Sequence, residues 1–218
     1  MIQTVETDIA ILGGGVAGLW LLNRLRQEGY SAILLESGTL GGEQTHKSQG
    51  ILHGGMKYAL QGSLTASSKG VAEAPALWRD CLNGTGCIDL SGVPVLSPTQ
   101  YLWTTGTMLS KMGGFLASKI LQTRAARLER DAFPSLFQHP RFKGDIYAFD
   151  EQVIDVHALL RELVKWQQDA IFHISPLKPS DLNYEPSGTL ESITLHADPM
   201  PSVTLRAKAI YFCSREWQ

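Results

Sequence analysis

The clearest hydrophobic pattern lies in the first 36 residues of the chain. The apolar run from Ile9 to Leu12 predicts a strand over residues 6–12, and this run breaks into consecutive glycines. Apolar residues at helical spacing predict a helix from Val16 to Glu28, and a second apolar run predicts a strand over 31–36. Strand, helix and strand in this order predict a βαβ unit with a parallel sheet.

Three glycines, Gly13, Gly15 and Gly18, fall at G-x-G-x-x-G spacing between that strand and that helix. In a dinucleotide-binding turn the first allows the tight turn, the second lets a pyrophosphate approach the backbone, and the third brings helix and strand together. The first N–H groups of the helix, at Val16 and Ala17, lack helical partners and face the phosphates.

An acid stands where such a unit holds the ribose of its nucleotide. Glu36 ends the second predicted strand, 18 residues after Gly18, close to the usual spacing of about 20. Its carboxylate can accept hydrogen bonds from a ribose diol, and Ser37 follows it directly. An acid here would repel a 2′-phosphate, which argues against NADP. The alternative is a glycine turn that only packs a helix on a strand.

The remaining hydrophobic pattern predicts further helices and short strands. Predicted helices cover 63–81 with Pro75 as a kink, 107–130 with an interruption at Gly113-Gly114, and 156–169. Predicted strands cover 88–90, 93–96, 100–104, 171–175, 183–185, 190–196, 203–205 and 209–213. The last of these is an unbroken apolar run, typical of a central parallel strand.

Composition narrows the class of protein. The 218 residues are 44% hydrophobic and 18% charged, so the chain should bury a core. A net charge of −2 without a basic tract argues against a nucleic-acid partner. The apolar stretch 9–22 is glycine-rich and too short to be an integral membrane segment. We therefore predict a soluble, cytoplasmic protein, with peripheral membrane contact left open.

The chain has three cysteines, an odd number that suits a reducing compartment. Cys81 and Cys87 are close enough in sequence to pair or to share a metal, but no second ligand pair has zinc spacing. The sequence favours free thiols and no metal site. None of the six histidines stands at metalloprotease spacing.

Residues 38–58 are rich in glycine and hydroxyl groups, yet apolar towards their end. Thr45 and Ser48 stand three residues apart, a spacing that would share one helical face. The sequence His53-Gly54-Gly55 would let backbone approach a flat group. The alternative is a surface loop followed by an ordinary core turn.

The glycine fingerprint, the Thr/Ser-rich segment and residues 50–58 together resemble the D-amino-acid-oxidase-like family of FAD-dependent oxidoreductases. The resemblance is nearest to the branch with glycerol-3-phosphate and L-2-hydroxyglutarate dehydrogenases. It implies an α/β fold, in which a Rossmann-like FAD-binding domain with a parallel sheet carries a partial antiparallel substrate-cap region. The implied boundaries are 1–86 and 146–218 for the FAD-binding domain and 87–145 for the cap.

The resemblance also implies a site for FAD. The glycines would hold the ADP diphosphate, Glu36 the adenosine ribose, and Thr45 and Ser48 would run beside the diphosphate and ribityl chain. Residues 50–53 would come near the isoalloxazine, and Leu177 would contact the adenine side through its backbone. The implied cofactor-binding residues are Gly13, Gly15, Val16, Ala17, Gly18, Glu36, Ser37, Thr45, Ser48, Gly50, Ile51, His53 and Leu177.

The implied activity is transfer of a hydride from a small 2-hydroxy acid, polyol phosphate or amine to flavin N5. His53 is the candidate base, the alternatives being a structural histidine or a flavin contact without a proton role. Family members are longer, and here Cys213-Ser214 stands where they carry Ala-Gly, so we expect an N-terminal portion of the family fold. The competing hypotheses are a non-catalytic chain that keeps FAD or ADP binding or acts through partners, and an NAD-binding module. The sequence does not define an oligomeric state.

Overall fold

A computed structural model describes residues 3–42, 44–52, 66–104, 125–197 and 200–213. The chain divides into two compact units. Unit 1 comprises residues 1–48 and 156–218, and unit 2 comprises residues 49–155. The predicted division into 1–86, 87–145 and 146–218 stays a prediction.

Helices and strands alternate at the start of the chain, and short strands dominate afterwards. The helices are α1 (Val16–Gln27), α2 (Ala66–Leu82) and α3 (Val156–Lys165). The strands are β1 (Gln3–Leu12), β2 (Ala32–Glu36), β3 (Val95–Ser97), β4 (Gln100–Thr104), β5 (Ala125–Arg127), β6 (Asp145–Phe149), β7 (Val153–Ile154), β8 (Ile171–His173), β9 (Leu182–Tyr184), β10 (Leu190–Ala197) and β11 (Met200–Phe212). Single 3₁₀ turns occur at Arg130–Ala132, Ser135–Phe137, Gln168–Ala170 and Pro179–Asp181.

Unit 1 is built on a six-stranded sheet in the order β8-β2-β1-β11-β10-β9. The first four strands are parallel, and β10 and β9 continue the sheet in antiparallel fashion. Ile11 of β1 lies opposite Leu34 of β2 and Tyr211 of β11. The predicted α/β fold with a parallel sheet is therefore confirmed. Because β1 and β2 are parallel neighbours, their carboxyl ends bring the glycine turn beside Glu36.

The core of unit 1 forms where the predicted amphipathic helices meet the sheet. Ile11 and Leu34 are fully buried, as are Leu19 and Leu22 on one side of α1. A buried polar contact joins α1 to α3, because the side-chain amide of Asn23 donates to the backbone oxygen of Leu163 at 2.8 Å. Each of these apolar side chains contributes roughly 1.5–3 kcal/mol through burial.

A second core cluster joins the parallel half of the sheet to the antiparallel half. Its buried members are Ala10, Leu12, Leu35, Ile174, Ile193 and Leu205. Leu177 is partly buried against this cluster. The short turn after β8 is therefore packed on the sheet as well as bonded to it, since the Ser175 N–H donates to the His196 carbonyl at 2.8 Å.

Unit 2 is antiparallel wherever it is described. β4, β6 and β5 form a three-stranded sheet in that order, and β3 pairs with β7. Beside the three-stranded sheet, aromatic rings of Trp103, Phe133, Phe137 and Phe142 pack with centroids 5.1–6.4 Å apart. An antiparallel region of this kind is what the family resemblance implied.

Several predicted elements were wrong. Residues 88–90 form no strand; Ile88 and Leu90 are buried in a loop that packs on the end of α2. The predicted helix 107–130 is wrong at its end, because residues 125–127 form β5 by pairing with β6, and its residues 107–124 lie outside the described ones. The predicted strands 203–205 and 209–213 are one strand, β11, because β1 pairs along nearly its whole length. α3 ends at Lys165, before a turn and a 3₁₀ segment.

Candidate nucleotide-binding site

The glycine turn joins the carboxyl end of β1 to the first turn of α1. Gly13 has φ +113°, a left-handed conformation that favours glycine. Its N–H donates to the Leu35 carbonyl at 2.9 Å, which fixes the turn to β2. Gly15 has extended backbone and is the N-cap of α1, without a capping side chain of its own. The turn therefore presents the start of α1 at the carboxyl edge of the sheet.

The other glycines of the turn are required for different reasons. A Cβ on Gly18 would overlap the Gly13 carbonyl oxygen, and a Cβ on Gly14 would overlap the Leu40 side chain. Gly15 has φ −75°, which any residue adopts, and a Cβ there would meet only the Thr45 hydroxyl, at 3.3 Å. The close packing of helix and strand thus explains Gly18, whereas at Gly15 the missing side chain keeps the helix start accessible.

The first N–H groups of α1 differ in whether the described residues supply an acceptor for them. The Val16 N–H donates to Oγ1 of Thr45 at 3.1 Å. Within the described residues, the N–H groups of Gly15, Ala17 and Gly18 have no acceptor. These donors lie at the positive end of the helix dipole, where an anion is stabilised. The arrangement suits a diphosphate.

Glu36 closes the other side of the turn, at the carboxyl end of β2. Its two carboxylate oxygens accept the N–H groups of Gly14 and Gly38, each at 2.6 Å. The Ile174 N–H bonds to the backbone oxygen of Glu36 at 2.9 Å, which fixes the residue to β8 as well. Because each carboxylate oxygen carries two lone pairs, both oxygens can still accept hydroxyl donors. The side chain is only half-buried, so a sugar can reach it.

The loop after β2 returns to the glycine turn and packs on it. The Gly41 N–H donates to the Gly14 carbonyl at 2.9 Å, and the His46 N–H donates to the Gly41 carbonyl at the same distance. The His46 ring lies 4.8 Å from the ring of His157 at the start of α3. These contacts hold Thr45, which is only 9% exposed, against α1.

The other predicted site residues are spread over both units. Ser37 is half-buried after β2, and Ser48 is exposed although its N–H bonds the Thr45 carbonyl in the same turn. Leu177 packs on the second core cluster of unit 1. Gly50 and Ile51 lie in unit 2, where both pair with the β7 segment. The candidate base His53 lies outside the described residues.

Sequence reasoning missed two residues that shape this site. Gly14, a variable position of the fingerprint, donates its N–H to Glu36 and leaves room for Leu40. The signal for Gly14 was the run of three consecutive glycines from 13 to 15. Nothing in the local sequence singled out Leu40, since its contact with the turn depends on the path of the loop.

The residues of the turn fit the ADP part of a dinucleotide. They offer N–H donors for the diphosphate, a position without a Cβ beside them, and a carboxylate anchored within reach of the same turn. In the described part of the chain, no group of three or more His, Cys, Asp or Glu side chains could hold a metal ion. No helix there has the length and apolar character that a membrane crossing requires.

The class of protein follows from this site and from a match to a family model. The model described as DAO, FAD dependent oxidoreductase, matches residues 8–172, most of the chain. The chain therefore belongs to this family of FAD-dependent oxidoreductases, and the family predicted from the sequence is confirmed.

Particular relatives support the same assignment. The chain is 44% identical over 181 residues to the probable FAD-dependent oxidoreductase PA4991 of Pseudomonas aeruginosa. This match covers 82% of this chain and 46% of PA4991. The crystal structure of PA4991 superposes with a TM-score of 0.71 at 33% identity, over 97% of this chain and 48% of that one. The chain thus spans about half the length of these relatives.

Two more distant solved structures share the fold. L-α-glycerophosphate oxidase from Mycoplasma pneumoniae, determined with FAD bound, superposes with a TM-score of 0.69 at 16% identity. The match covers 95% of this chain and 53% of that enzyme. Glycine oxidase from Geobacillus kaustophilus gives a TM-score of 0.68 at 15% identity, over 98% and 56% of the two chains. At these identities the likeness shows the fold alone.

Proposed function

We propose that the glycine turn and Glu36 bind the ADP part of FAD in this chain. The observation that carries the proposal is the set of N–H donors at Gly15, Ala17 and Gly18, which have no acceptor in the described part of the chain and lie beside the anchored carboxylate. The N–H groups would donate to the diphosphate. Glu36 would accept the ribose hydroxyls, and its charge would disfavour a 2′-phosphate.

Thr45 has a positioning role in this proposal. Its hydroxyl accepts the Val16 N–H, so one donor of the helix start is satisfied by the protein and the neighbouring donors stay available. Ser37, Ser48, Gly50, Ile51 and Leu177 are proposed as further FAD contacts, as the family resemblance implies. Flavin supplies the redox chemistry in this family, by accepting a hydride at N5.

For the whole protein, we propose oxidation of a small 2-hydroxy acid, polyol phosphate or amine. Support comes from the shared fold with glycerophosphate oxidase and glycine oxidase, whose names cover a polyol phosphate and an amine. His53 is the proposed base that removes the hydroxyl or amine proton. A cytoplasmic location is proposed with it.

A second candidate function is nucleotide binding without turnover. It is supported by the N–H donors and the anchored carboxylate of the glycine turn, which we assign to the ADP half of the cofactor. Anaerobic bleaching of the bound flavin separates the two functions. A 2-hydroxy acid, a polyol phosphate or an amine should reduce the flavin if the chain is catalytic, and none should do so if it only binds.

FAD titration of the purified chain tests the binding proposal. We expect the visible flavin band to shift on binding, and Glu36→Ala to weaken binding about tenfold or more, equivalent to roughly 1.4 kcal/mol. Glu28→Ala is the matched control, because Glu28 lies at the far end of α1, paired with Arg24. Equal affinities of Glu36→Ala and Glu28→Ala, or no FAD binding by the wild type, would contradict the proposal.

Gly15→Ala separates nucleotide binding from helix packing. A methyl group there meets only the Thr45 hydroxyl at 3.3 Å, so the fold should tolerate it with a cost of about 1 kcal/mol or less. The same methyl group stands between a diphosphate and the helix start, so FAD affinity should fall at least as far as in Glu36→Ala. If the turn only packed a helix, Gly15→Ala would leave FAD affinity unchanged.

A further inference from the structure

Two cysteines lie together at the end of α2, outside the nucleotide site. The Sγ atoms of Cys81 and Cys87 are 3.9 Å apart. Cys81 is fully buried, whereas Cys87 is partly exposed. The sulfur atoms are therefore in contact, and one of the two residues is accessible from the surface.

Backbone hydrogen bonds fix the loop that carries the pair. Gly84, with φ +73°, ends α2 in a left-handed conformation, and its N–H donates to the Cys81 carbonyl at 3.0 Å. The N–H groups of Thr85 and Gly86 both donate to the Asp80 carbonyl at 2.9 Å. Beyond Cys87, the Leu90 N–H donates to the Cys81 carbonyl, also at 2.9 Å. The loop thus folds back on the last turn of the helix.

Gly86 allows the loop after α2 to lie directly against Cys81. A Cβ at Gly86 would lie 2.5 Å from the backbone nitrogen of Cys81 and 2.6 Å from its Sγ. Any other residue would push the loop away from Cys81, and Cys87 would move with it. The proximity of the two cysteine residues is therefore set by the backbone of the loop and its packing on α2.

We propose that Cys81 and Cys87 form a redox site, a dithiol that a hydroperoxide converts to an intramolecular disulfide. A disulfide needs the sulfur atoms about 2.05 Å apart, which rotation of the two side chains about χ1 must supply from the contact distance. The bond would close a ring from the last turn of α2 to the start of the following loop.

The exposed thiol reacts first and the buried one completes the bond. The Cys87 thiolate attacks the terminal oxygen of the hydroperoxide and the O–O bond breaks. Cys87 sulfenic acid forms, and the other oxygen leaves as an alkoxide, or as hydroxide when the oxidant is hydrogen peroxide. The Cys81 sulfur then attacks the Cys87 sulfur, the S–O bond breaks, and the hydroxyl leaves as water with the Cys81 proton. Burial raises the pKa of the Cys81 thiol, which keeps it protonated until that step. Excess dithiol reduces the bond again.

Thiol counting on the whole chain tests the proposal. After brief treatment with hydrogen peroxide and removal of the oxidant, the protein is denatured and its free thiols are titrated. The wild type should fall from three thiols to one. Cys213→Ser, the matched control, should fall from two to none, and Cys87→Ser should keep both. The tryptic peptide 80–111, which contains both cysteines, should lose two hydrogen atoms in mass and regain them with dithiothreitol.

Three results would overturn it. One is a wild-type protein that keeps three thiols at the peroxide dose that oxidises a free model thiol. Another is a disulfide that joins two chains or involves Cys213. The third is Cys87 recovered as sulfinic acid with Cys81 still a thiol, since a competent partner would have trapped the sulfenic acid. Replacement of Gly86 by alanine should slow disulfide formation if the loop geometry sets the reaction.

Discussion

The candidate nucleotide site of unit 1 differs from the rest of the described chain in the kind of polar contact that fixes it. In unit 1 the polar groups near the site are bound by main-chain donors, as in the bonds from Gly14 and Gly38 to Glu36. Away from the site, the polar contacts of both units include exposed ion pairs, such as Arg26 with Asp169 in unit 1 and Arg127 with Asp145 in unit 2, which contribute little. Backbone geometry therefore defines the proposed nucleotide site, and substitutions that alter that geometry should affect it most.

Two glycines, one in each unit, allow this comparison to be tested with the same substitution. A Cβ on Gly18 would overlap the Gly13 carbonyl oxygen in unit 1, and a Cβ on Gly144 would overlap the Thr104 carbonyl oxygen in unit 2. The steric problem is the same, but only Gly18 belongs to the proposed nucleotide site.

The largest effect is expected from Gly18→Ala. Helix α1 must move away from the turn, which should lower the free energy of unfolding by about 3 kcal/mol and abolish FAD binding. Gly144→Ala should destabilise the protein by a similar amount, yet FAD affinity should persist at temperatures where the variant is folded. Denaturant unfolding and FAD titration of both variants measure this. Loss of FAD binding in Gly144→Ala as well would show that the two units do not behave separately.

The next largest loss of stability is expected at Asn23, whose buried side-chain amide joins α1 to α3. Asn23 donates to the carbonyls of Leu19 and Leu163 and accepts from the Gln167 amide. Asn23→Ala leaves the carbonyl of Leu163 and the amide of Gln167 buried without partners, at a cost of about 2 kcal/mol or more. Gln27→Ala, on the exposed end of the same helix, should change stability by less than about 0.5 kcal/mol. Urea unfolding that gives equal stabilities for the two variants would contradict this role of Asn23.

A smaller effect on stability is expected at Thr45, whose hydroxyl accepts an N–H of the first turn of α1. Thr45→Val keeps the volume of the side chain but removes the acceptor of the Val16 N–H, so stability should fall by about 1 kcal/mol. Thr45→Ser retains the hydroxyl and should recover most of that loss. Thermal melting of the two variants checks the expectation, and a serine variant no more stable than the valine variant would refute it.

The smallest expected effect is on the pH dependence of the free energy of unfolding. The Lys178 N–H lowers the pKa of Asp181, and the Arg26 and Lys208 side chains lower the pKa values of Asp169 and Asp8. A carboxyl whose folded-state pKa is depressed stabilises the fold above its unfolded value of about 3.9, and that stabilisation is lost as the pH falls through the lowered folded value.

Urea unfolding between about pH 5 and pH 3 should therefore show stability falling with acid, and Asp181→Asn should make the fall shallower. Gln27→Ala, which removes no ionisable group, is the control and should leave the pH dependence unchanged. A steeper acid dependence in Asp181→Asn than in the wild type would contradict the assigned sign.

Much of unit 1 could be predicted because its signals are local. The run from β1 through α1 to β2 was placed to within a few residues, since strand, glycine turn, helix and acid follow each other directly. The position of Glu36 beside the turn followed from the parallel pairing of β1 and β2. What could not be predicted there is the second use of Glu36, as an acceptor for Gly14, because that contact crosses between elements.

Elements that depend on distant pairing were predicted less well. The short strand β5 exists because Ala126 pairs with Ala148 of β6, and its own sequence favours helix. Tyr211 lies in a strand between two neighbours, as the apolar run predicted, yet its side chain is 48% exposed. A sequence pattern predicts whether a segment forms a strand or a helix. It does not predict which face of a sheet is covered by other parts of the protein.

The central claim is that the start of α1 binds the diphosphate of FAD. Amide chemical-shift mapping by NMR with ADP, the part of the cofactor that the turn would hold, tests it most directly. The largest shifts should occur at the N–H groups of Gly15, Ala17 and Gly18, with smaller shifts at Gly38 beside Glu36 and none at Gly144. Saturating ADP that leaves these three amides unshifted, or shifts only residues of unit 2, would contradict it.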